Sequence, residues 1–468
     1  MSDEKSQKVL LWLVAIGFFM ETLDSTIVNT ALPGMARSLG ESPLYMQSVV
    51  IAYSLTIALF IPASGWITDR FGIKKVYLSA IILFSMGSLA CAFSQNLTQL
   101  VCSRVLQGAG GAMLLPVGRL AVLRAFPSDK FLQAISFVTI PGLVGPLIGP
   151  TLGGWLVEYA SWHWIFLINI PIGVIGMYAT ARFMPDIRGV SLSKFDGLGY
   201  LLLAFSMVAI SFAMEGLAEL GLRHGTVMVL LFFGLAALAA YWLHAGRVKN
   251  PLFSLNLFQI GTYNIGLLGN LFARVGSSSM PFLLPLLLQV GMGYSPANAG
   301  MMMIPMAVAG IFAKRLATPL IVRTGYRKML VINTVLLGIS MAGFALFAME
   351  QPFWLRMLQL IFFGMVNSLQ FTAMNTLTLK DLGPQYASSG NSLYSMMQML
   401  AMSLGVAAAA AVIKAFADQF GVTGEGTIHT FQATFAVMGL VTCSSAMIFA
   451  QIPQEEKQVA KSMAHAEG

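Results

Sequence analysis

The chain has 468 residues, of which 57% are hydrophobic and only 10% charged, with a mean hydropathy of +0.77. Soluble domains carry about 25% charged residues, so this composition excludes a water-soluble globular fold and points to lipid as the main solvent. The formal net charge of +8 is scattered through short loops between apolar runs, as membrane topology requires. It is not gathered on one tail or face, as a nucleic-acid partner would need.

A helix needs about 20 apolar residues to cross the hydrocarbon core. That ruler places fourteen spans at roughly 9–33, 45–68, 76–95, 99–121, 134–155, 163–184, 197–216, 226–243, 262–290, 296–321, 328–349, 354–378, 389–416 and 428–452. The first run begins near Val9 and outlasts a signal-peptide core, with no small-residue cleavage site behind it, so it reads as a span. It carries Glu21 and Asp24, three residues apart and hence on one helix face. A charge at the centre of a span costs at least ~2.5–3.5 kcal/mol and is a functional candidate by default. Two close carboxylates in low dielectric titrate as a coupled pair, and such a pair can take up a proton on one side and release it on the other. Arg104 in span four is the natural counter-charge, because its own protonation never changes. A static buried ion pair that aids assembly is the alternative. Asn29, Gln107 and Arg274 are the candidates for the substrate cavity.

Spans two and three are joined by Gly65-Trp-Ile-Thr-Asp69-Arg70-Phe-Gly72-Ile-Lys74-Lys75. Gly65 and Gly72 permit close approach and positive φ. Asp69 can sit at a helix N-terminus or accept hydrogen bonds from an arginine of a neighbouring helix. Together with Arg70 and Lys74, such a turn can act as a clasp that holds one state of a two-state machine; a solvated basic loop is the plainer alternative. Span five holds Gly145, Pro146, Gly149, Pro150, Gly153 and Gly154. The glycines at 145, 149 and 153 fall on one face, a pattern for close helix packing, and the prolines predict a bent, rigid helix between the two halves of the molecule. Span nine contains Pro281 and Pro285 and is expected to kink or break.

With the N-terminus in the cytoplasm, nearly all Lys and Arg fall on the cytoplasmic side, from Lys5 and Lys8 through Arg188 to Lys457 and Lys461. The opposite side holds only Arg37, Arg223 and Lys414, with Arg104, Arg274 and Arg356 in or at the edge of spans. This bias puts both termini in the cytoplasm. Arg356 lies near a span end, where it can snorkel to the interface. The chain also repeats itself. Gly72-Ile-Lys74-Lys75 is echoed by Gly325-Tyr-Arg327-Lys328, and Arg104-Val-Leu-Gln107 by Arg356-Met-Leu-Gln359. The common offset implies a six-helix bundle over 1–188, two added helices over 189–250 and a second six-helix bundle over 251–468, around a midplane cavity. Cys91, Cys102 and Cys443 lie in apolar runs without CxxC spacing, so neither a disulfide framework nor a metal site is expected. No phosphate-binding loop, HExxH or nucleophile elbow is present, which excludes an ATP-driven pump on this chain and argues against an enzyme.

These segments carry a resemblance. The Gly65–Lys75 turn resembles the signature of the major facilitator superfamily. Arg104-Val-Leu-Gln107-Gly108-Ala-Gly110-Gly111-Ala112 resembles its second motif, and Gly145–Gly154 the motif of its antiporters. Leu23-Asp24-Ser-Thr26-Ile27-Val28-Asn29-Thr30-Ala31-Leu32-Pro33 resembles the signature of the fourteen-span drug/proton antiporters. The resemblance implies an all-α inner-membrane exporter of Gram-negative type, with protons as the coupling ion and no other cofactor. It implies a monomer in contact with lipid that acts on small amphipathic or cationic drugs; whether a periplasmic adaptor joins it is left open. A specific exporter of a metabolite such as an organic acid is the alternative, motivated by Arg274, and a receptor without flux is a third. Thr68 replaces the usual alanine of the first motif, Val322 stands where the first basic turn has Asp69, and span thirteen lacks the GPxxGG pattern.

Overall fold

The structure, a computed structural model, describes residues 3–453 apart from 127, 187–193, 221–223, 348–350, 383–385 and 422–424. No strand occurs among the described residues. That is the expected outcome for an apolar chain: in lipid, only a helix or a closed barrel satisfies every backbone N–H and C=O.

Among the described residues, thirteen helices are long and apolar enough to cross a membrane, and a further helix at Ser128–Tyr159 makes fourteen. In chain order they are α1 (Asp3–Leu39), α2 (Gln47–Phe71), α3 (Ile73–Ala92), α4 (Leu97–Ala125) and α5 (Ser128–Tyr159). Then come α6 (Trp164–Phe183), α7 (Gly197–Leu220) and α8 (Gly225–Ala245). The rest are α9 (Gly261–Gly291), α10 (Pro296–Ala317), α11 (Pro319–Leu346), α12 (Phe353–Lys380), α13 (Ala387–Phe420) and α14 (Gly426–Phe449). The chain is therefore an all-α, fourteen-span membrane protein. The near end is the one where α1 begins, and the far end is the one it reaches.

Basic residues mark the near end at Lys8, Arg70, Lys74, Lys75, Arg124, Arg182, Arg247, Lys249, Arg327, Lys328 and Lys380, whereas Arg37 and Lys414 lie at the far end. Arg188, Arg223, Lys457 and Lys461, and the boundary at 188–189, lie outside the described residues. The expected break in α9 is real. Its first part ends at Ser277, a second begins at Met280, and Leu287–Gly291 forms a π turn after Pro285. α1 differs from expectation: it continues through Pro33 to Leu39 instead of ending there.

The internal repeat has a backbone signature. Gly72 between α2 and α3 has φ 90° and ψ 147°, and Gly325, the non-helical residue at a kink near the start of α11, has φ 75° and ψ 157°. Both turns need the left-handed region that only glycine enters cheaply. Gly65 does not share this role. It is exposed, has no positive φ, and a Cβ there would meet nothing within 4 Å, so close approach at Gly65 is not required. Arg356 also differs from expectation. It is 8% exposed, so it does not snorkel; it donates to the Tyr294 hydroxyl and lies 5.9 Å from the Phe353 ring centroid.

In the first half, α1 packs on α5 and α4 packs on α2 and α3. In the second, α12 packs on the α10–α11 run, and α9 on α13. α7 and α8 form a hairpin that leans through α7 on α13 and α2, while α8 leaves Phe232, Phe233, Leu235, Trp242 and Leu243 exposed toward lipid. Asp196 fixes the near end of this hairpin. It accepts hydrogen bonds from Gly199 N–H (2.9 Å) and Leu252 N–H (3.1 Å) and lies 2.7 Å from His244 Nε2. Burial works against its charge, but the His244 imidazole and the two N–H groups outweigh burial and hold the carboxyl below its usual range.

Candidate functional site

Asp24 stands in the middle of α1 and is fully buried. A lone carboxylate there would be too costly to insert, and four other helices supply what it needs. From α4, Arg104 Nη1 donates to Asp24 Oδ2 at 2.6 Å and Gln107 Nε2 to Asp24 Oδ1 at 2.7 Å. From α6, Asn169 Nδ2 donates to Asp24 Oδ1 at 3.1 Å. From α3, Ser88 Oγ accepts from Gln107 (2.8 Å) and from Asn169 (3.3 Å). Arg104 Nη1 also reaches Gln107 Oε1 at 2.6 Å, and Arg104 Nε reaches the Val49 carbonyl of α2 at 3.3 Å. The Tyr53 ring lies 3.9 Å from the guanidinium carbon. The expected Asp24–Arg104 pair is therefore present, 0% and 1% exposed, at the hub of a polar network that crosses the first half.

Glu21 is buried one turn nearer the chain start and has no hydrogen-bond partner among the described residues. The cation that acts on it is Arg119 of α4, which also lies over the Phe18 ring at 5.7 Å. The two α1 carboxylates thus face different arginines. Gln107 belongs to the Asp24 hub and is not grouped with Arg274. Asn29 is buried, donates to Ser25 O at 3.2 Å, and leaves its Oδ1 unpartnered. Arg274 lies in the second half among Asn270, Phe371 and Tyr394.

At the near end Asp69 accepts a hydrogen bond from Arg124 of α4. The clasp is thus an ion pair between the ends of α2 and α4, and Asp69 does not cap a helix N-terminus. Arg70 instead lies over Trp66 at 5.7 Å, and Lys74 is half-buried beside the turn. Asp69→Asn should leave assembly intact and reduce export about 5-fold, since a part-exposed pair contributes ~1 kcal/mol to one state over the other. Equal flux at equal expression would reduce Asp69 to a loop residue.

α5 stays helical through Pro141, Pro146 and Pro150. Its glycine face does not point where the sequence suggested. A Cβ on Gly145, Gly149 or Gly153 would collide with Thr22, Thr26 or Ile27 of α1, each inside 3.0 Å. Those glycines therefore pack α5 on α1 within one half. The contact between halves is made by the next residue and by Pro150. A Cβ on Gly154 would collide with the Pro296 carbonyl, and one on Gly300 of α10 with the Pro150 carbonyl, again inside 3.0 Å. Thr151 Oγ1 donates to Gly300 O at 3.2 Å, Ala297 N–H to Glu158 Oε2 at 2.8 Å, and Gln289 Nε2 to Thr30 O at 2.8 Å. All these contacts lie at the far end.

Asn169, Ser88, Tyr53, Arg119 and Arg124 were not singled out from the sequence. A polar side chain in an apolar span is the signal that could have found Asn169 and Ser88.

Fold and network together define a membrane transporter. The Major Facilitator Superfamily profile matches residues 14–406, and the chain belongs to that superfamily. It is 49% identical over 456 residues to "Putative multidrug resistance protein MdtD" of Pectobacterium carotovorum subsp. carotovorum (strain PC1), covering 97% of this chain and 98% of the relative. The protein of the same name from Serratia proteamaculans (strain 568) is 51% identical over 446 residues, covering 95% and 93%. Among solved structures, a POT family transporter in complex with a thioalcohol-conjugated peptide has TM-score 0.69 at 15% identity, covering 94% of each chain. The nucleoside transporter NupG has TM-score 0.65 at 16% identity, covering 94% of this chain and 98% of that one. At such identities the likeness concerns the fold alone.

Proposed function

We propose that this chain is a secondary exporter of small amphipathic molecules, driven by protons entering as substrate leaves. It sits in the inner membrane with both termini in the cytoplasm, so the near end faces the cytoplasm. Support for that orientation comes from the basic residues at the near end. The relatives' printed name, multidrug resistance, supports a drug substrate. The halves span 1–188 and 251–468 with the added pair between them. Protons are the coupling ion and no other cofactor takes part. The working unit is a monomer in lipid, without a nucleic-acid partner and without catalysis.

One observation carries the reading: a fully buried mid-span carboxylate whose ligands come from α4 and α6. Charged Asp24 draws Arg104, Gln107 and Asn169 inward. A proton on Asp24 removes the charge that holds Arg104, which loosens α4 and α6 from α1 and changes which state of the two halves is favoured. Glu21, beside Asp24 and without a hydrogen-bond partner among the described residues, is the adjoining proton site. The far-end contacts close the molecule toward the outside, so this is the state from which cytoplasmic substrate would be taken. The test is flux of a fluorescent amphipathic drug into inverted vesicles under an imposed pH gradient. Accumulation that collapses with the gradient is expected. Accumulation that ignores it, or none for any of a broad drug panel, overturns the reading.

A further inference from the structure

Among the described residues, the second half contains a part-buried cation with no anion beside it. Arg274 lies 13 residues into the 31-residue α9, near mid-membrane. Between Gly261 and Lys380 and on through Ala417, the only acidic residues are Glu350, in the connection between α11 and α12, and Asp381, at the near end of α12. Asp381 is engaged by Thr262 at 2.7 Å. Arg274 Nε donates to Asn270 Oδ1 at 3.0 Å, and its guanidinium lies 4.5 Å from the Phe371 ring centroid. Its Nη2 is buried without a partner, and so is the amide nitrogen of Asn270, a residue 0% exposed. Arg104 in the first half has Asp24; Arg274 has only neutral neighbours.

An arginine that is not paired in the low-dielectric interior is strongly unfavourable, because its guanidinium cannot shed its proton. The surroundings do not neutralise it. The Tyr394 hydroxyl is shared with Asn270 Oδ1 at 3.5 Å and with Asn375 Oδ1, to which Gln398 also donates at 2.8 Å. Asn375 and Gln398 are half-buried and Phe371 is exposed, so the cluster opens at a surface and is not sealed in the core. Two free N–H donors from adjacent turns of α9 beside an aromatic ring form a receptor for a planar anion attached to an apolar body.

We infer that Arg274, with Asn270 and Phe371, is the subsite that takes the carboxylate of an amphipathic organic anion. This rests on the reading of the chain as an exporter and names the substrate class that the exporter accepts. It assigns the halves different tasks: the first holds the titrating carboxylate, the second the substrate's charge. An anionic substrate pairs with Arg274 and leaves Asp24 free to exchange its proton independently.

The experiment uses purified full-length protein in detergent and no pH gradient, so its outcome is independent of whether transport is proton-driven. The probes are 2-naphthoate, its methyl ester and 2-naphthylmethylammonium, which share an apolar body and differ in charge. Naphthoate alone is expected to raise the thermal midpoint of the wild type. Arg274→Gln should weaken that protection on the order of 10–100-fold in apparent affinity, the range for one charge-assisted contact. Arg274→Lys should retain part of it. Without ligand, Arg274→Gln should melt no lower than wild type, because a part-buried charge with an unpartnered Nη2 is removed. Equal protection by the ester or the ammonium, naphthoate protection that survives Arg274→Gln, no protection of the wild type, or a lowered midpoint of unliganded Arg274→Gln each overturns the assignment.

Discussion

Asp24→Asn is expected to destabilise the protein by about 3–5 kcal/mol and to abolish gradient-driven accumulation. The stability loss follows from Arg104, which is 1% exposed and would keep its charge with no anion to face. Asparagine retains one acceptor oxygen, so one hydrogen bond from Arg104 survives, while the second acceptor offered to Gln107 and Asn169 is lost. Adding Arg104→Gln to Asp24→Asn removes both charges and should recover most of the stability. It should not recover coupled export, because no titrating group remains at the hub. The double-mutant cycle therefore separates two roles that one substitution confounds. Thermal midpoints in detergent, substrate-induced proton release and vesicle flux are the measurements. If Asp24→Asn releases as many protons as wild type, Asp24 is a structural anion, and Glu21, which has Arg119 as its cation and no hydrogen-bond partner among the described residues, becomes the coupling residue.

Gly154→Val should hold the far end open. The position faces the Pro296 carbonyl, a backbone atom that cannot rotate away; even a bare Cβ there would lie inside 3.0 Å of it, and valine adds two methyl groups. Overpacking of this kind costs about 1–3 kcal/mol or more. Since the cost falls only on the state with the far end shut, it shifts the two populations on the order of 10–100-fold. A cysteine at Thr30, which is 0% exposed at this end, reports the shift once Cys91, Cys102 and Cys443 are replaced. It should react slowly with an impermeant maleimide in the parent and fast beside Gly154→Val, with export falling in parallel. Unchanged labelling and flux would show that α5 and α10 do not form the outer closure.

The residues of the candidate hub were half legible. Asp24 and Arg104 announce themselves because each is a charge in an apolar span, and opposite charges in lipid must meet. Asn169 and Ser88 are as necessary to the geometry, yet a single amide or hydroxyl in a span has many possible packing roles. Arg124 looked like one more topogenic cation until Asp69 was seen against it. Gly65 shows the reverse failure. Its place in a turn motif suggested tight packing, and the helix end it occupies touches nothing on that side.

The sequence by itself determined the solvent, the number of spans, the side on which the basic residues gather, and the duplicated turn whose glycines Gly72 and Gly325 both adopt positive φ. Each of these rests on composition or on spacing within one helix or turn, and hydropathy acts locally. Only the tertiary structure decided that Asp24 is held by residues 80, 83 and 145 positions away. It alone decided that the glycine face of α5 rests on α1 while Gly154 meets the other half, and that Arg274 is left without an anion. The reason is that lipid satisfies any apolar face equally well. Hydropathy therefore says that a helix spans the membrane but not which neighbour it meets, and that choice is made by close packing and hydrogen bonds between helices far apart in the chain.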